Sequence, residues 1–173
     1  EYGSDGINVF PQTVRIVLNG GLGTSMGLTG AKSLIDIRDG MSFLYVIMKQ
    51  AENSDVALAF MNSFNTHDDT MAALKKLKPP TFPFTFLQHK FPKILQQDYS
   101  PASWPKNSKL EWNPPGHGDV YTALLTSAML ESFLANGIIY AFMAFAFLNW
   151  FYRLLPEVLD IATKLRGVER TRN

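Results

Sequence analysis

The chain has 173 residues, of which 46% are hydrophobic and 18% are charged, a size and composition suited to a single α/β or similar globular domain. Its formal net charge of +1 excludes a strongly basic protein that binds the nucleic-acid backbone. The absence of cysteine excludes disulfides and thiolate metal sites. Since residues 1–10 also lack the basic and apolar regions of a secretion signal, we expect a cytoplasmic protein.

Residues 14–33 combine a predicted strand with a glycine-rich turn. Residues 14–18 have the β-branched content of a buried parallel strand. Four glycines follow, at positions 20, 21, 23 and 27, and they allow positive φ and the close approach of a ligand. Backbone N–H groups in such a turn attract anions, and Lys32 adds a positive charge. The segment therefore predicts a site for the phosphates of a nucleotide.

Three other interpretations of this turn are weaker. A Walker-type P-loop requires lysine directly after glycine, but Ala31 separates Gly30 from Lys32. A dinucleotide fingerprint fits loosely as GxGxxxG, although Asp36 and Asp39 lie nearer the turn than the usual ribose-binding acid, which is roughly 20 residues away. A purely structural turn is disfavoured because each glycine loses additional conformational entropy on folding.

Four elements are predicted between the turn and residue 78. Residues 33–37 form a short apolar segment, residues 42–51 have the apolar spacing of a helix, and residues 56–61 read as a buried strand. A second helix follows Asn65 or Thr66 as cap. Its first turn carries Asp68 and Asp69 and its last turn carries lysines, which matches the helix dipole at both ends. We interpret the two carboxylates as dipole partners and not as metal ligands.

The second half of the chain continues the alternation of strands and helices. Residues 81–88 suggest a strand, and residues 97–118 form a long, proline-rich irregular loop of the kind that carries function. A helix runs from Asp119, as its cap, to a stop at Gly137, and residues 138–144 form the next strand. This alternation predicts a mostly parallel sheet that binds ligands at the carboxyl ends of its strands.

The sequence PPGHGD at residues 114–119 holds His117 between two glycines. The prolines stiffen the approach, and the glycines expose the backbone on both sides of the imidazole. A tight turn explains the glycines but not the histidine, so a functional role is favoured. His67 and His89 lie far from it in sequence, and their spacing predicts no zinc site.

Five ordered segments carry a resemblance to a known family: LNGGLGTSMG at residues 18–27, AKSLIDIRDG at 31–40, FMNSFNTHDDT at 60–70, FLQHKFPKI at 86–94 and WNPPGHGDVYTAL at 112–124. Together they resemble the N-terminal part of the UTP–glucose-1-phosphate uridylyltransferases, also called UDP-glucose pyrophosphorylases. The related N-acetylhexosamine enzymes are less similar, because their turn differs at Leu22 and Ser25. The resemblance implies a Rossmann-like, GT-A-like nucleotidyltransferase domain with a mixed, mostly parallel sheet flanked by helices. We expect it to be incomplete, with residues 1–144 as the UTP-binding part and residues 145–173 as an atypical helical tail.

The resemblance also implies roles for individual residues. Lys32 corresponds to the catalytic lysine, which stabilises charge as the α-phosphorus is attacked. Gln88 reads uracil, since an amide can both donate and accept at the imide edge, and His117 lies near the sugar phosphate. The nucleotide-binding positions of the family correspond to Leu18, Asn19, Gly20, Gly21, Gln88 and Gly116. The implied reaction transfers UMP from UTP to glucose-1-phosphate, releases pyrophosphate and uses Mg²⁺ as cofactor.

Three positions depart from the family pattern. Val17 stands where a lysine is usual, and Ala31 stands where the family tends to have proline. Phe147 occupies the position of the metal-binding aspartate, and an apolar ring cannot ligate Mg²⁺. We therefore assign no metal ligand in this chain. The alternative function is a catalytically inactive nucleotide-binding or interaction module.

Residues 132–152 form a run of 21 uncharged residues, long enough to span a membrane. Asn136 and Gly137 interrupt it, so we prefer the end of a helix followed by a buried strand, and a membrane-tethered protein is the third hypothesis. Residues 145–167 have apolar residues at helical spacing. They predict a terminal helix that packs on the core or on a partner, with self-association or binding of a missing half through the apolar tail.

Overall fold

The computed structural model describes residues 8–22 and 30–145, with side chains described as far as Met143. The strands that lie wholly within these ranges are β1 (Thr13–Asn19), β2 (Asp36–Arg38), β3 (Met41–Ser42), β4 (Ala57–Asn62), β5 (Phe84–Leu87), β6 (Phe91–Pro92), β7 (Trp112–Asn113) and β8 (Tyr140–Phe145). The α-helices are α1 (Phe43–Glu52), α2 (His67–Leu77), α3 (Val120–Thr126) and α4 (Met129–Ala135). Short 3-10 helices cover Phe10–Gln12, Lys32–Leu34, Ser108–Glu111 and His117–Asp119. The predicted roles of Gly23, Gly27 and Phe147 and the predicted tail helix lie outside the described residues.

Four strands form a parallel sheet in the order β5-β4-β1-β8. β1 lies inside the sheet, and all its residues except Arg15 are buried. A strand that is covered on both faces needs apolar side chains at nearly every position, which explains the β-branched run that predicts it. The predicted strands at residues 14–18, 56–61 and 138–144 are confirmed, with small shifts in their bounds. The third was expected to be buried, and that part is wrong: Tyr140, Phe142 and Met143 are exposed, and β8 is at the edge of this sheet.

Helices cover both faces of the sheet. On one face Ile16 and Met61 pack in a buried cluster with Phe133 of α4. On the other face Val17 packs with Leu44 of α1 and Leu74 of α2. This three-layer arrangement confirms the predicted α/β class with a mostly parallel sheet flanked by helices.

Local sequence signals account for several element boundaries. Ser42 is the N-cap of α1, and its hydroxyl accepts a hydrogen bond from the Tyr45 backbone N–H at 3.2 Å. Residues 33–37, predicted as a short apolar segment, divide between a 3-10 helix and β2. The strand predicted at residues 81–88 begins later, at Phe84, because the prolines before it lack the N–H that a sheet ladder needs.

The single helix predicted from Asp119 to Gly137 is wrong, because the structure contains two helices, α3 and α4. Ser127 Oγ donates to the Ala123 carbonyl at 2.6 Å, and Ala128 adopts a left-handed conformation with φ of 54°. The Ser127 backbone N–H also donates to the Ala123 carbonyl, at 3.1 Å, so the helical bond is kept at Ser127 and the break follows at the left-handed Ala128. Gly137 has a φ of 73°, which confirms its predicted role as the left-handed stop.

The predicted irregular loop at residues 97–118 lies within the longer connection between β5 and α3, residues 88–119, which contains short ordered elements. β6 and β7 pair antiparallel at its base, with Phe91 opposite Asn113. Lys90 Nζ lies 4.5 Å from the centroid of the Trp112 ring, a cation–π contact that reinforces this base. The prolines of this segment correctly predict that it contains no long helix or strand. The pairing of β6 with β7 was not predicted, because it joins residues that are distant in sequence.

No helix among residues 8–22 and 30–145 is both long enough and apolar enough to cross a membrane.

Candidate functional site

The carboxyl ends of three parallel strands place polar residues side by side. β1 ends at Asn19, β4 ends at Asn62, and Gln88 follows directly after β5. Asn19 lies opposite Asn62 in the sheet register, and the Gln88 backbone N–H donates to the Asn62 carbonyl at 2.8 Å. The strand order places β4 and β5 on one side of β1 and β8 on the other side. Such a reversal opens a crevice at the carboxyl edge, which is where open α/β sheets bind ligands.

A buried polar network fixes the end of β1. The Asn19 side-chain amide donates to Asn62 Oδ1 at 2.7 Å and to Thr70 Oγ1 at 2.9 Å. Thr70 Oγ1 donates in turn to the Thr66 carbonyl at 2.6 Å. All four residues are buried, and buried polar groups are stable only when they are hydrogen-bonded in this way. The network therefore joins β1, β4 and α2 and sets the starting point of the glycine-rich turn.

The backbone of the turn is oriented by two hydroxyl groups. The Asn19 carbonyl accepts from Thr66 Oγ1 at 2.8 Å, and the Gly20 carbonyl accepts from Ser63 Oγ at 2.8 Å. In a trans peptide unit the next N–H points away from the carbonyl. The N–H groups of Gly20 and Gly21 therefore point away from the segment between β4 and α2. Thr66, predicted as a helix cap, lies at the N-cap of α2, but its hydroxyl serves this turn and makes no cap hydrogen bond.

Gly20 is in close contact with Gln88. A Cβ built on Gly20 would lie 2.3 Å from Gln88 Nε2 and 3.1 Å from Gln88 Cδ, so any larger residue at position 20 would displace this amide. Gln88 is buried, with 8% of its surface exposed. The glycine thus serves close approach, as the sequence predicts for the turn, and the neighbouring group that requires it is Gln88.

Lys32 lies where the chain returns to the start of the turn. Its backbone N–H donates to the Gly21 carbonyl at 3.2 Å, and a Cβ on Gly21 would lie 3.9 Å from Lys32 Cδ. The side chain is exposed, and none of the ion pairs within the described ranges involves it. The Lys32 side chain therefore passes beside Gly21 and carries a positive charge that no ion pair within the described ranges neutralises.

His89 and Asp119 form a contact that sequence reasoning missed. The Asp119 carboxylate accepts from the His89 backbone N–H at 2.6 Å and lies 2.8 Å from His89 Nδ1. Asp119 was expected to cap the following helix, and that expectation is wrong for its side chain: it lies at the N-cap of α3 but makes no cap hydrogen bond. The stronger competitor is His89, which offers two donors to one carboxylate. No local signal reveals a contact between residues 30 apart in sequence.

Gly116 and His117 are connected to the carboxyl edge of the sheet through the contact between Asp119 and His89. Gly116 has a φ of 102°, a conformation that glycine adopts without strain, and it precedes the 3-10 helix His117–Asp119. His117 is exposed. The contact between Asp119 and His89 ties this short helix to the residue that follows Gln88. The structure thus brings Gly20, Gly21, Lys32 and Gln88 into one group. Gly116 and His117 are linked to this group indirectly, through Asp119 and His89.

Leu18 and Asn19 differ from the other predicted nucleotide-binding residues because they lie inside β1. Leu18 is paired with Met61 on one side and with Phe145 on the other, and it is 8% exposed. These two residues form the end of the strand that leads into the turn. Gly20, which is half-buried, and Gly21, which is exposed, follow them.

The described residues contain no group of three or more histidine, aspartate or glutamate side chains that converges on one point. Asp68 and Asp69 lie in the first turn of α2, as predicted, and both are exposed. Carboxylates in that position interact favourably with the helix dipole. The part of the chain seen in the structure therefore offers no side-chain cage for Mg²⁺.

A cavity of about 330 Å³ lies at the opposite edge of the sheet. It is bounded by the end of α1, by the start of β4 and by residues 80–84, including Phe82 and Phe84. None of the predicted site residues lines it. Ligands of parallel sheets bind at the carboxyl edge, and this cavity lies at the amino edge, so we do not assign it to the nucleotide.

Comparison with known proteins agrees with the resemblance of the five motifs. Residues 3–146 match the family model described as UTP–glucose-1-phosphate uridylyltransferase. The chain is 45% identical over 139 residues to the protein of that name from Solanum tuberosum, covering 76% of this chain and 29% of the relative. It is 40% identical over 135 residues to a probable member from Schizosaccharomyces pombe, covering 73% of this chain and 27% of the relative.

Solved structures give the same result. A variant of the UDP-glucose pyrophosphorylase from Leishmania major, in complex with UDP-glucose, aligns with a TM-score of 0.70 and 38% identity over 80% of this chain and 31% of that chain. The corresponding protein from Trypanosoma brucei aligns with a TM-score of 0.69 and 37% identity, covering 81% and 32%. The chain thus spans less than a third of the length of these relatives. Since the family model covers most of the sequence and the fold agrees, the chain belongs to the UTP–glucose-1-phosphate uridylyltransferase family.

Proposed function

We propose that this chain forms the UTP-binding part of an enzyme that transfers UMP from UTP to glucose-1-phosphate and releases pyrophosphate. The observation that carries the proposal is the contact between Gly20 and Gln88 at the carboxyl edge of the sheet. It places a group that can recognise a base directly beside a backbone that can bind phosphate. A structural turn alone would not require an amide side chain at that point.

The triphosphate would lie against the backbone of the turn. The N–H groups of Gly20 and Gly21 point away from Ser63 and Thr66, and N–H groups oriented in this way attract anions. Lys32 adds a positive charge from the other end of the turn. In the reaction an oxygen of glucose-1-phosphate bonds to the α-phosphorus as the bond to the β-phosphate oxygen breaks, and Lys32 stabilises the charge that develops.

The base and the sugar phosphate would lie on the other side of the site. The Gln88 amide both donates and accepts, as the imide edge of uracil requires. The backbone of Gly116 approaches the base, and His117 faces the sugar phosphate. Such chemistry depends on positioning and charge neutralisation and does not need a covalent nucleophile.

Mg²⁺ fits the described residues poorly. No convergent group of acidic or histidine side chains is found among residues 8–22 and 30–145, and the resemblance implies that Phe147 stands in place of the family's metal-binding aspartate. Mg²⁺ often binds mainly through substrate phosphates. We propose that the ion enters as the complex of UTP.

Calorimetry with the chain tests the binding part of this proposal. We expect UTP to bind more tightly than CTP, and tripolyphosphate to bind more weakly than either. Equal affinities for UTP and CTP would contradict the role of Gln88. A loss of affinity in Lys32→Ala no greater than in Asp68→Ala would show that the phosphate site lies elsewhere.

A catalytically inactive nucleotide-binding module is the second candidate, and the lack of a metal-ligand cluster among the described residues favours it. Release of pyrophosphate in the presence of UTP, glucose-1-phosphate and Mg²⁺ distinguishes the two candidates. Binding of UTP without turnover would support the module, and turnover would exclude it.

The apolar surface around β8 supports association with further protein. Tyr140, Phe142 and Met143 are between 45% and 49% exposed, although a strand beside β1 would ordinarily be buried on both faces. We propose that residues 1–144 act as the nucleotide-binding part in the cytoplasm, and that residues 145–173 contribute to self-association or to contact with a missing half. Sedimentation at increasing concentration tests this, since a monomer throughout would contradict self-association.

A further inference from the structure

The Asp119 carboxylate accepts hydrogen bonds from two groups of His89. The His89 backbone N–H lies 2.6 Å from Oδ2, and His89 Nδ1 lies 2.8 Å from Oδ1. The Asp119 side chain is 7% exposed, so water does not compete strongly for either bond. A carboxylate only accepts hydrogen bonds, so the proton of this contact resides on Nδ1. The contact is therefore a two-point attachment and not a surface ion pair.

Both peptide units that flank Gln88 are thereby held. The Gln88 N–H donates to the Asn62 carbonyl at 2.8 Å, and the His89 N–H donates to Asp119 at 2.6 Å. Peptide units are planar, so fixing the two on either side of a residue fixes its φ and ψ and the direction of its Cβ. Asp119 therefore sets the direction in which the Gln88 side chain leaves the backbone, toward Gly20.

The far side of the imidazole is held as well. His89 Nε2 lies 3.0 Å from Thr126 Oγ1, on the last turn of α3. Asp119 precedes α3 directly, so both contacts attach the residue after Gln88 to the same helix. The 3-10 helix that begins at His117 ends at Asp119. One carboxylate thus connects the two segments that would face the base, at Gln88 and at Gly116.

We propose that Asp119 and His89 are positioning residues that determine recognition of the base by Gln88. The inference rests on the proposed binding of UTP. With the contact intact the Gln88 side chain leaves the backbone toward Gly20, and its Nε2 lies nearest to that glycine. Without it the backbone at residue 88 can turn, and the amide leaves the position from which its donor and acceptor would distinguish uracil from cytosine. The contact therefore affects discrimination between bases more than affinity for phosphate.

The test compares the affinities of UTP, CTP and tripolyphosphate for the wild-type chain and for Asp119→Asn. The asparagine amide replaces one acceptor by a donor that opposes a donor of His89. We expect the ratio of CTP to UTP dissociation constants to fall about 5- to 100-fold, the range of one or two lost hydrogen bonds, while tripolyphosphate affinity stays unchanged. Asp98→Asn is the matched control, because its carboxylate accepts from the Ser100 N–H and hydroxyl in the exposed connection between β5 and α3.

Two further variants cover the case in which Asp119→Asn does not fold. His89→Ala removes the ring and keeps the main-chain contact, and His89→Asn restores a donor near the position of Nδ1. We expect His89→Ala to lower the ratio and His89→Asn to restore most of it. A structural role alone would lower affinity for all three probes together.

The outcomes separate this inference from the function on which it rests. If the wild-type chain does not prefer UTP, the proposed function fails before any variant is measured, and the inference falls with it. If the wild-type chain prefers UTP and the Asp119 and His89 variants keep its ratio, only the positioning role is refuted. A parallel loss for UTP, CTP and tripolyphosphate would likewise refute it.

Discussion

Gly20→Ala is expected to disable recognition of uracil without unfolding the protein. The new Cβ would lie 2.3 Å from Gln88 Nε2, whereas ordinary contacts begin at 3.4 Å, so the amide must move by about 1.1 Å, the difference between the two distances. The backbone at Gly20 is not in the left-handed region, so alanine fits the local conformation. The strain therefore falls on the far end of the Gln88 side chain and not on the sheet.

The size of the effect follows from what the displaced amide would lose. A good bidentate contact between an amide and a base contributes roughly 1–3 kcal/mol of discrimination, which corresponds to about 5- to 150-fold in the ratio of affinities. We expect the preference for UTP over CTP to fall by that factor in Gly20→Ala. Affinity for tripolyphosphate is expected to stay within about twofold, because the backbone N–H groups remain.

Calorimetric titration measures these affinities, and a double-mutant cycle identifies the cause. In a Gln88→Ala background, Gly20→Ala is expected to have little further effect on discrimination, because its target is already absent. Gly118→Ala is the control, since a Cβ there would meet no atom within 4 Å. Additive losses in the cycle, or unchanged discrimination in Gly20→Ala alone, would refute the reasoning from the contact.

Three other predictions concern charge, buried polarity and backbone conformation. Lys32→Ala is expected to weaken UTP binding about 10- to 100-fold, as loss of a charge-assisted contact does, while Asp68→Ala changes it less than about twofold; equal losses in calorimetry would contradict this. Thr70→Val is expected to lower the free energy of unfolding by about 1–3 kcal/mol, because it removes a buried donor and acceptor; an unchanged urea midpoint would show that the network is dispensable. Ala128→Gly is expected to raise that free energy by about 0.5–1 kcal/mol, since Ala128 has a φ of 54°, whereas Ala72→Gly, at an exposed position inside α2, is expected to lower it by a similar amount; the same sign for both would contradict the role of Ala128 in the break.

Sequence patterns predict β1 and β4 well because these two strands are buried on both faces. Residues 14–18 and 56–61 can be predicted as strands from their own sequence, because short continuous runs of β-branched and apolar residues are typical of buried parallel strands. Helix α1 is recognisable for a similar reason, because Ser42 precedes an apolar periodicity that is local.

The break between α3 and α4 cannot be predicted from the spacing of apolar residues. The apolar spacing continues across Ser127 and Ala128, so periodicity alone predicts one helix. What ends α3 is the left-handed conformation of Ala128, with a φ of 54°, while Ser127 donates both its backbone N–H and its hydroxyl to the Ala123 carbonyl. A pattern of apolar residues contains no signal for a left-handed alanine.

By itself the sequence determined the family, the class of fold and the small set of residues around the glycine-rich turn, because these depend on residue types at short spacing. Only the tertiary structure decided which groups meet: Gly20 with Gln88, Ser63 with the Gly20 carbonyl, and Asp119 with His89. The physical reason is that hydrogen bonds and steric contacts act over a few ångströms. Parallel strand pairing brings the ends of β1, β4 and β5 to that distance from positions more than 20 residues apart along the chain.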